Sequence, residues 1–119
     1  MTQKEIFVEI ALSIRAILPN EENFKEAVLD IMRLTGTVEL TGYYINETGE
    51  KKWLDIFNVN LSDGYIHELY MITQTQPPIH TNWNRAKFIL YPDNKINIKY
   101  IWDQALQDEV DKYNKGSQA

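Results

Sequence analysis

The strongest constraint on the fold is a pair of alternating segments, Arg85 to Tyr91 and Lys95 to Ile101, joined by Pro92-Asp93-Asn94. Successive strand side chains point to opposite faces, so a β-hairpin here puts Ala86, Phe88 and Leu90 on the same side as Ile96, Ile98 and Tyr100. A slip of one residue would send that whole apolar set to solvent, which specifies the register. Trp83 precedes the hairpin and Trp102-Asp103 follow it. From Asp103 onward, Leu106, Val110 and Tyr113 mark a short amphipathic helix whose other side shows Asp108, Glu109 and Asp111.

Upstream the periods change. Ile6, Phe7, Ile10, Ile14, Ile17 and Leu18 form one helical stripe between Lys4 and Leu18, and Pro19 stops it. Residues 24–34 fit two readings: Phe24, Ala27, Val28 and Ile31 suit a helix, whereas 28–34 suit a half-buried strand. The β-rich segment Thr37 to Ile45, after a Thr35-Gly36 turn, favours a hairpin of residues 27–34 with 37–45. Asn46-Glu47-Thr48-Gly49 turns the chain into a third strand, Lys52 to Ile56, completing a meander. Ser62 or Asp63 caps a middle helix with Tyr65, Ile66, Leu69, Tyr70 and Thr73 on one face, ended by Pro77-Pro78. The expectation is a single α+β domain over residues 1–119, with a frayed tail at 114–119. Its antiparallel sheet has about five strands, with N-terminal, middle and short C-terminal helices lying mainly on one side.

Composition narrows the class. A chain of 119 residues, 44% hydrophobic, holds one core rather than two. No uncharged apolar run reaches about 18 residues, so no membrane span is expected. Glu5, Glu9 and Arg15 interrupt the N-terminal apolar stretch and no small-residue cleavage site follows, which points to a mature helix in a cytoplasmic protein. On that reading Asn46-Glu47-Thr48 and Asn60-Leu61-Ser62 are chance glycosylation matches. The absence of cysteine excludes disulfides and thiolate chemistry. Twelve basic and seventeen acidic side chains give a net charge of −5, with the excess of acid in the first 80 residues. Such a field disfavours direct nucleic-acid binding and suits a basic partner; simple solubility is the plainer reason for it.

Catalytic patterns are thin. His67-Glu68 begins like a zinc-protease helix, but position 71 is Met rather than a second His, and His80 lies beyond Pro77-Pro78. The five glycines are scattered singly, so no phosphate loop forms. Ser13, Ser62 and Ser117 have no spacing to a histidine that supports a triad. No enzymatic activity, metal or cofactor is expected.

Recognition residues are then the remaining handle. Interface energy concentrates in a few buried aromatics and arginines, and the chain offers three Trp and seven Tyr. The aromatic candidates are Tyr43, Tyr44, Trp53, Trp83 and Trp102. Each is weighed against ordinary core packing, and Tyr43 and Tyr44, adjacent on one strand, cannot both be in the core. The acidic candidates are Asp55, Asp103, Asp108, Glu109 and Asp111, for which a solvated surface is the plain alternative; Asp63 and Glu68 form a weaker set with Asp55.

Taken in order, the helix ending at Leu18-Pro19, the Val38-Glu39-Leu40-Thr41-Gly42-Tyr43-Tyr44 strand, Glu47-Thr48-Gly49-Glu50 and the stretch from Trp83 through Phe88-Ile89-Leu90-Tyr91-Pro92-Asp93 to Tyr100-Ile101-Trp102-Asp103 resemble the YezG-type immunity proteins of bacterial polymorphic toxin and contact-dependent inhibition systems. The chain departs from the pattern in being short and in carrying Phe24 where a tryptophan would be sought. The resemblance implies a cytoplasmic protein that binds a cognate toxin domain, usually a nuclease, in a 1:1 complex. An acidic face can dock on the basic cleft of a nuclease by charge complementarity. The competing readings are a small-ligand or regulatory domain with an aromatic pocket between sheet and helices, and a structural subunit of a homo-oligomer.

Overall fold

A computed structural model describes residues 1–19, 23–34, 36–56, 59, 61–77 and 82–117, the side chains of 114–117 excepted. The chain forms α1 (Gln3–Ile17), β1 (Phe24–Leu34), β2 (Thr37–Asn46), β3 (Lys51–Trp53), α2 (Asp63–Thr75), β4 (Arg85–Leu90), β5 (Ile96–Ile101) and α3 (Gln104–Ser117). The five strands make one antiparallel sheet in the order β3-β2-β1-β4-β5, so the fold is α+β as the sequence predicts. No helix among the described residues is long and apolar enough to cross a membrane.

The C-terminal hairpin has the expected register: Ala86 pairs with Tyr100, Phe88 with Ile98 and Leu90 with Ile96. Asn94 takes φ 68° in its turn, a left-handed conformation that Asn tolerates better than most residues. Its amide donates to the Tyr91 carbonyl, and the Asp93 carboxylate accepts from the Lys95 amide. The ambiguous segment 24–34 is a strand, and a longer one than expected, with a register shift between Phe24 and Glu26. It lies between β2 and β4 at the middle of the sheet, where Ala27, Val28 and Leu29 are consecutively buried although their side chains alternate between the two faces. A strand buried on both faces has neither a clean two-residue nor a clean helical period.

One face of the sheet carries the core. Ala27, Leu29 and Ile31 of β1 stand beside Tyr44 of β2 and Ala86, Phe88 and Leu90 of β4. Against them α1 lays Ile6, Ile10 and Ile14, and α2 lays Ile66, Leu69 and Ile72. Burying such an aliphatic side chain contributes about 1.5–3 kcal/mol. Thr2 and Glu5 form a capping box that starts α1, and Ser62 caps α2. Arg15 fastens the far end of α1 to the β4–β5 turn, bonding the Asn94 side chain at 3.0 Å and the Pro92 carbonyl at 3.1 Å.

β3 is shorter than the expected Lys52 to Ile56 strand, pairing only through Lys51, Lys52 and Trp53. Leu54 then turns inward, its amide bonding the Gly42 carbonyl, and its side chain joins the core. Gly42 is small for this reason: a Cβ there would meet Ile56 Cδ1 at 2.9 Å and both Leu54 Cδ1 and the Val28 carbonyl at 3.2 Å. α3 is also longer than expected, running to Ser117, and it crosses the second face of the sheet at one end. There Leu106 and Val110 border a groove of about 720 Å³ with Met32, Leu34 and Arg85.

Candidate recognition surfaces

The structure separates the candidate residues into four environments. Trp83 and Tyr44 are interior: the first is wholly inaccessible to solvent and the second nearly so. The Trp83 indole N–H donates to the buried Thr73 hydroxyl at 2.9 Å, and the ring lies against Tyr70 and Tyr100. Burial gives both residues a place in the core, with no surface left for a partner.

Asp103 is occupied at a junction. Its Oδ1 accepts from the Leu106 amide and its Oδ2 from Arg85 Nε at 2.7 Å, while its backbone amide and carbonyl are bracketed by the Asn84 side chain. It therefore starts α3 as an N-cap and ties it to β4. The Leu106 amide, followed by the Arg85 guanidinium, holds the Asp103 carboxyl below its ordinary range.

The third environment lies on the open face of the sheet, beside the β3 edge. Trp53 is 69% exposed and meets Tyr43 edge-on, with ring centroids 6.0 Å apart. Lys51 Nζ sits 4.3 Å from the Tyr43 ring centroid and 4.4 Å from that of Trp53. Lys87 also approaches the Tyr43 ring, and the Tyr43 hydroxyl, with Asp30 and Glu26 more weakly, raises the pKa of the Lys87 ammonium. This aromatic patch is edged with lysines, and Asp55 stands exposed beyond it. It does not have the acidic character that the composition of the chain suggests.

The fourth environment is the start of α3. Trp102 is 41% exposed, and its indole N–H donates to Gln104 Oε1 at 3.0 Å. Gln104 Nε2 in turn donates to Asp108 Oδ1 at 2.9 Å. One turn further, Gln107 Nε2 donates to Asp111 Oδ1 at 3.0 Å. The two glutamines thus hold a ring and two carboxylates in fixed positions on one exposed side. Glu109 lies apart from them, bordering the groove beneath α3.

The weaker acidic set does not come together as a site: Asp63 occupies the first turn of α2, and Glu68 pairs with the amino group of Met1. His67 is exposed on α2, and His80 lies outside the described residues. Among the described residues no group of three or more His, Asp or Glu side chains is placed to hold a metal ion.

Sequence reasoning missed Arg33. Its guanidinium lies 3.4 Å from the centroid of the Tyr70 ring and 5.1 Å from that of Trp83, and Nη1 donates to the Trp83 carbonyl. The signal available was a charge embedded in the apolar run Ile31-Met32-Arg33-Leu34.

The chain matches no protein-family model, and no curated protein matches it.

Proposed function

We propose that this protein is a cytoplasmic immunity protein that neutralises a cognate basic toxin domain, a nuclease being the best fit, in a 1:1 complex. The observation that carries the reading is the hydrogen-bonded string from Trp102 through Gln104 to Asp108, with Asp111 one turn on. An exposed tryptophan beside anchored carboxylates has the chemistry of an interface anchor with charged neighbours. Ordering these groups before binding reduces the side-chain entropy lost on association. The aromatic ring supplies affinity by burial, and the carboxylates steer a basic cleft towards it. Occlusion of that cleft then keeps nucleic acid out, with the protein itself binding none.

The test is co-expression with the variable C-terminal domain encoded by an upstream neighbouring gene for a large secreted protein. The expected result is restored growth and a 1:1 complex on size exclusion. Absence of both protection and complex sinks the proposal. Within the complex, Asp108→Lys combined with Asp111→Lys slows association and flattens its dependence on salt, whereas Trp102→Ala speeds dissociation. Unchanged kinetics in both variants would move the interface elsewhere, with the Trp53 patch next in line.

A further inference from the structure

A notch of about 410 Å³ opens between the end of β1, the C-terminal half of α2 and the start of α3, lined by Arg33, Tyr70, Asn82, Asn84, Trp102 and Gln107. Among the described residues Arg33 is its only basic side chain. The guanidinium is partly buried, stacked on Tyr70, and its Nε is shut off from solvent without a hydrogen-bond partner. Burial pulls its pKa down, yet an arginine stays charged in proteins. Among the described residues no carboxylate is paired with Arg33. A partly desolvated charge without a counter-ion is unfavourable, and an anion entering the notch would offset that cost.

The walls select the anion. Tyr70 and Trp102 offer ring surface and the amides offer neutral polarity. With Nη1 bonded to the Trp83 carbonyl and Nε shut off from solvent, the guanidinium offers one positive charge rather than a free fork, which matches the single charge of a carboxylate. A phosphate dianion would call for a second cation, and the Asp103 carboxylate already occupies the nearby start of α3. We propose that this notch is a binding site for a carboxylate carried on an aromatic or apolar group. The carboxylate lies against Arg33 and the carrier group between Tyr70 and Trp102. The notch shares Trp102 and Gln107 with the proposed toxin surface, but its argument rests on Arg33 and Tyr70, and its test uses this protein alone, so either reading can fail without the other.

The full chain is titrated with phenylacetate and with its neutral isostere phenylacetamide, following the Arg33 Nε–H and Trp102 indole N–H resonances. Saturable shifts of both signals with phenylacetate alone are expected. Equal binding of the amide, shifts that do not saturate, or tighter binding of inorganic phosphate overturns the proposal. Because this comparison uses the unaltered protein, it stands whether or not substitutions at Arg33 fold. Arg33→Lys, if folded, weakens phenylacetate by about tenfold or more, because an ammonium does not keep the flat guanidinium's place against Tyr70, and unchanged affinity would overturn the assignment. A peptide ending in Phe with a free carboxylate, set against its C-terminal amide, distinguishes the source. Tighter binding of the free-ended peptide than of phenylacetate assigns the site to a chain terminus, and the reverse assigns it to a small acid.

Discussion

The two faces of the sheet use aromatic residues in opposite ways. On the covered face, Trp83, Phe88 and Tyr44 are buried beneath α1 and α2, and the Trp83 N–H is satisfied by Thr73. On the open face, Trp53 and Tyr43 remain at the surface, and their ring faces are met by the ammonium groups of Lys51 and Lys87. Rings in the first set hold the helices to the sheet, whereas those in the second meet one another and two lysine ammonium groups. Aromatic content alone therefore says little about where a protein of this size recognises anything; what covers the ring decides.

The sharpest way to break the comparison is to remove one ring from each face. Trp83→Ala deletes a large side chain at a fully buried position, for which about 3–5 kcal/mol of destabilisation is expected. It also leaves the Thr73 hydroxyl without the indole donor and uncovers one side of Arg33. Against a total stability of about 5–15 kcal/mol this is severe, and urea unfolding followed by far-UV circular dichroism measures it. A loss below about 1 kcal/mol would mean that Trp83 is not the centre of the covered face.

Gly42→Ala ranks next. The added methyl meets the Ile56 and Leu54 methyl groups, which can shift, and the Val28 carbonyl, which cannot shift without bending the central strand. Overpacking of this kind costs about 1–3 kcal/mol, read from the same unfolding curves. A neutral result would show that the chain after β3 gives way more easily than the core it touches.

How much of this contrast could be read in advance depends on where regular strand geometry ends. Inside β4 and β5 alternation placed Ala86, Phe88, Ile98 and Tyr100 correctly, and likewise set Tyr43 and Tyr44 on opposite faces. Extending the same phase beyond the strands would point Trp102 inward with Tyr100 and turn Trp83 away from Ala86. The burial is the reverse, because Trp83 precedes β4 and Trp102 follows β5, where the chain is steered by the Asn84–Asp103 bracket instead of by the sheet ladder. Arg33 was hidden for a related reason: its neighbours Tyr70 and Trp83 are far along the chain and come together only when α2 docks. The acidic α3 side was legible as a pattern, but the Gln104 and Gln107 bonds that order it were not.

Asp103 tests how α3 comes to cover one end of the open face. Its carboxyl has a lowered pKa in the folded state, so its stabilising contribution is present above the unfolded value of about 3.9 and is lost as pH falls through the folded value. Asp103→Ala should therefore lower the melting temperature at pH 7, by less than Gly42→Ala, and fray α3. The gap between variant and parent should close once the pH is taken below that folded value. A gap that persists unchanged in strong acid would show that Asp103 holds α3 by something other than its charge.

The smallest effect belongs to the open face itself. Trp53→Ala removes a mostly exposed ring from a short edge strand, losing its contacts with Tyr43 and Lys51, and is expected to cost no more than about 0.5–1 kcal/mol. Screening makes the cation–ring share weaken with added salt, so parent and variant should converge in high-salt melts. The variant also separates the two recognition surfaces, since Trp53 and Trp102 lie at opposite edges of the sheet, on β3 and just past β5. If Trp102 anchors the proposed toxin complex, Trp53→Ala leaves its dissociation rate unchanged. A faster rate in that variant would transfer the interface to the lysine-edged patch, and with it the expected partner from a basic surface to one that tolerates lysines.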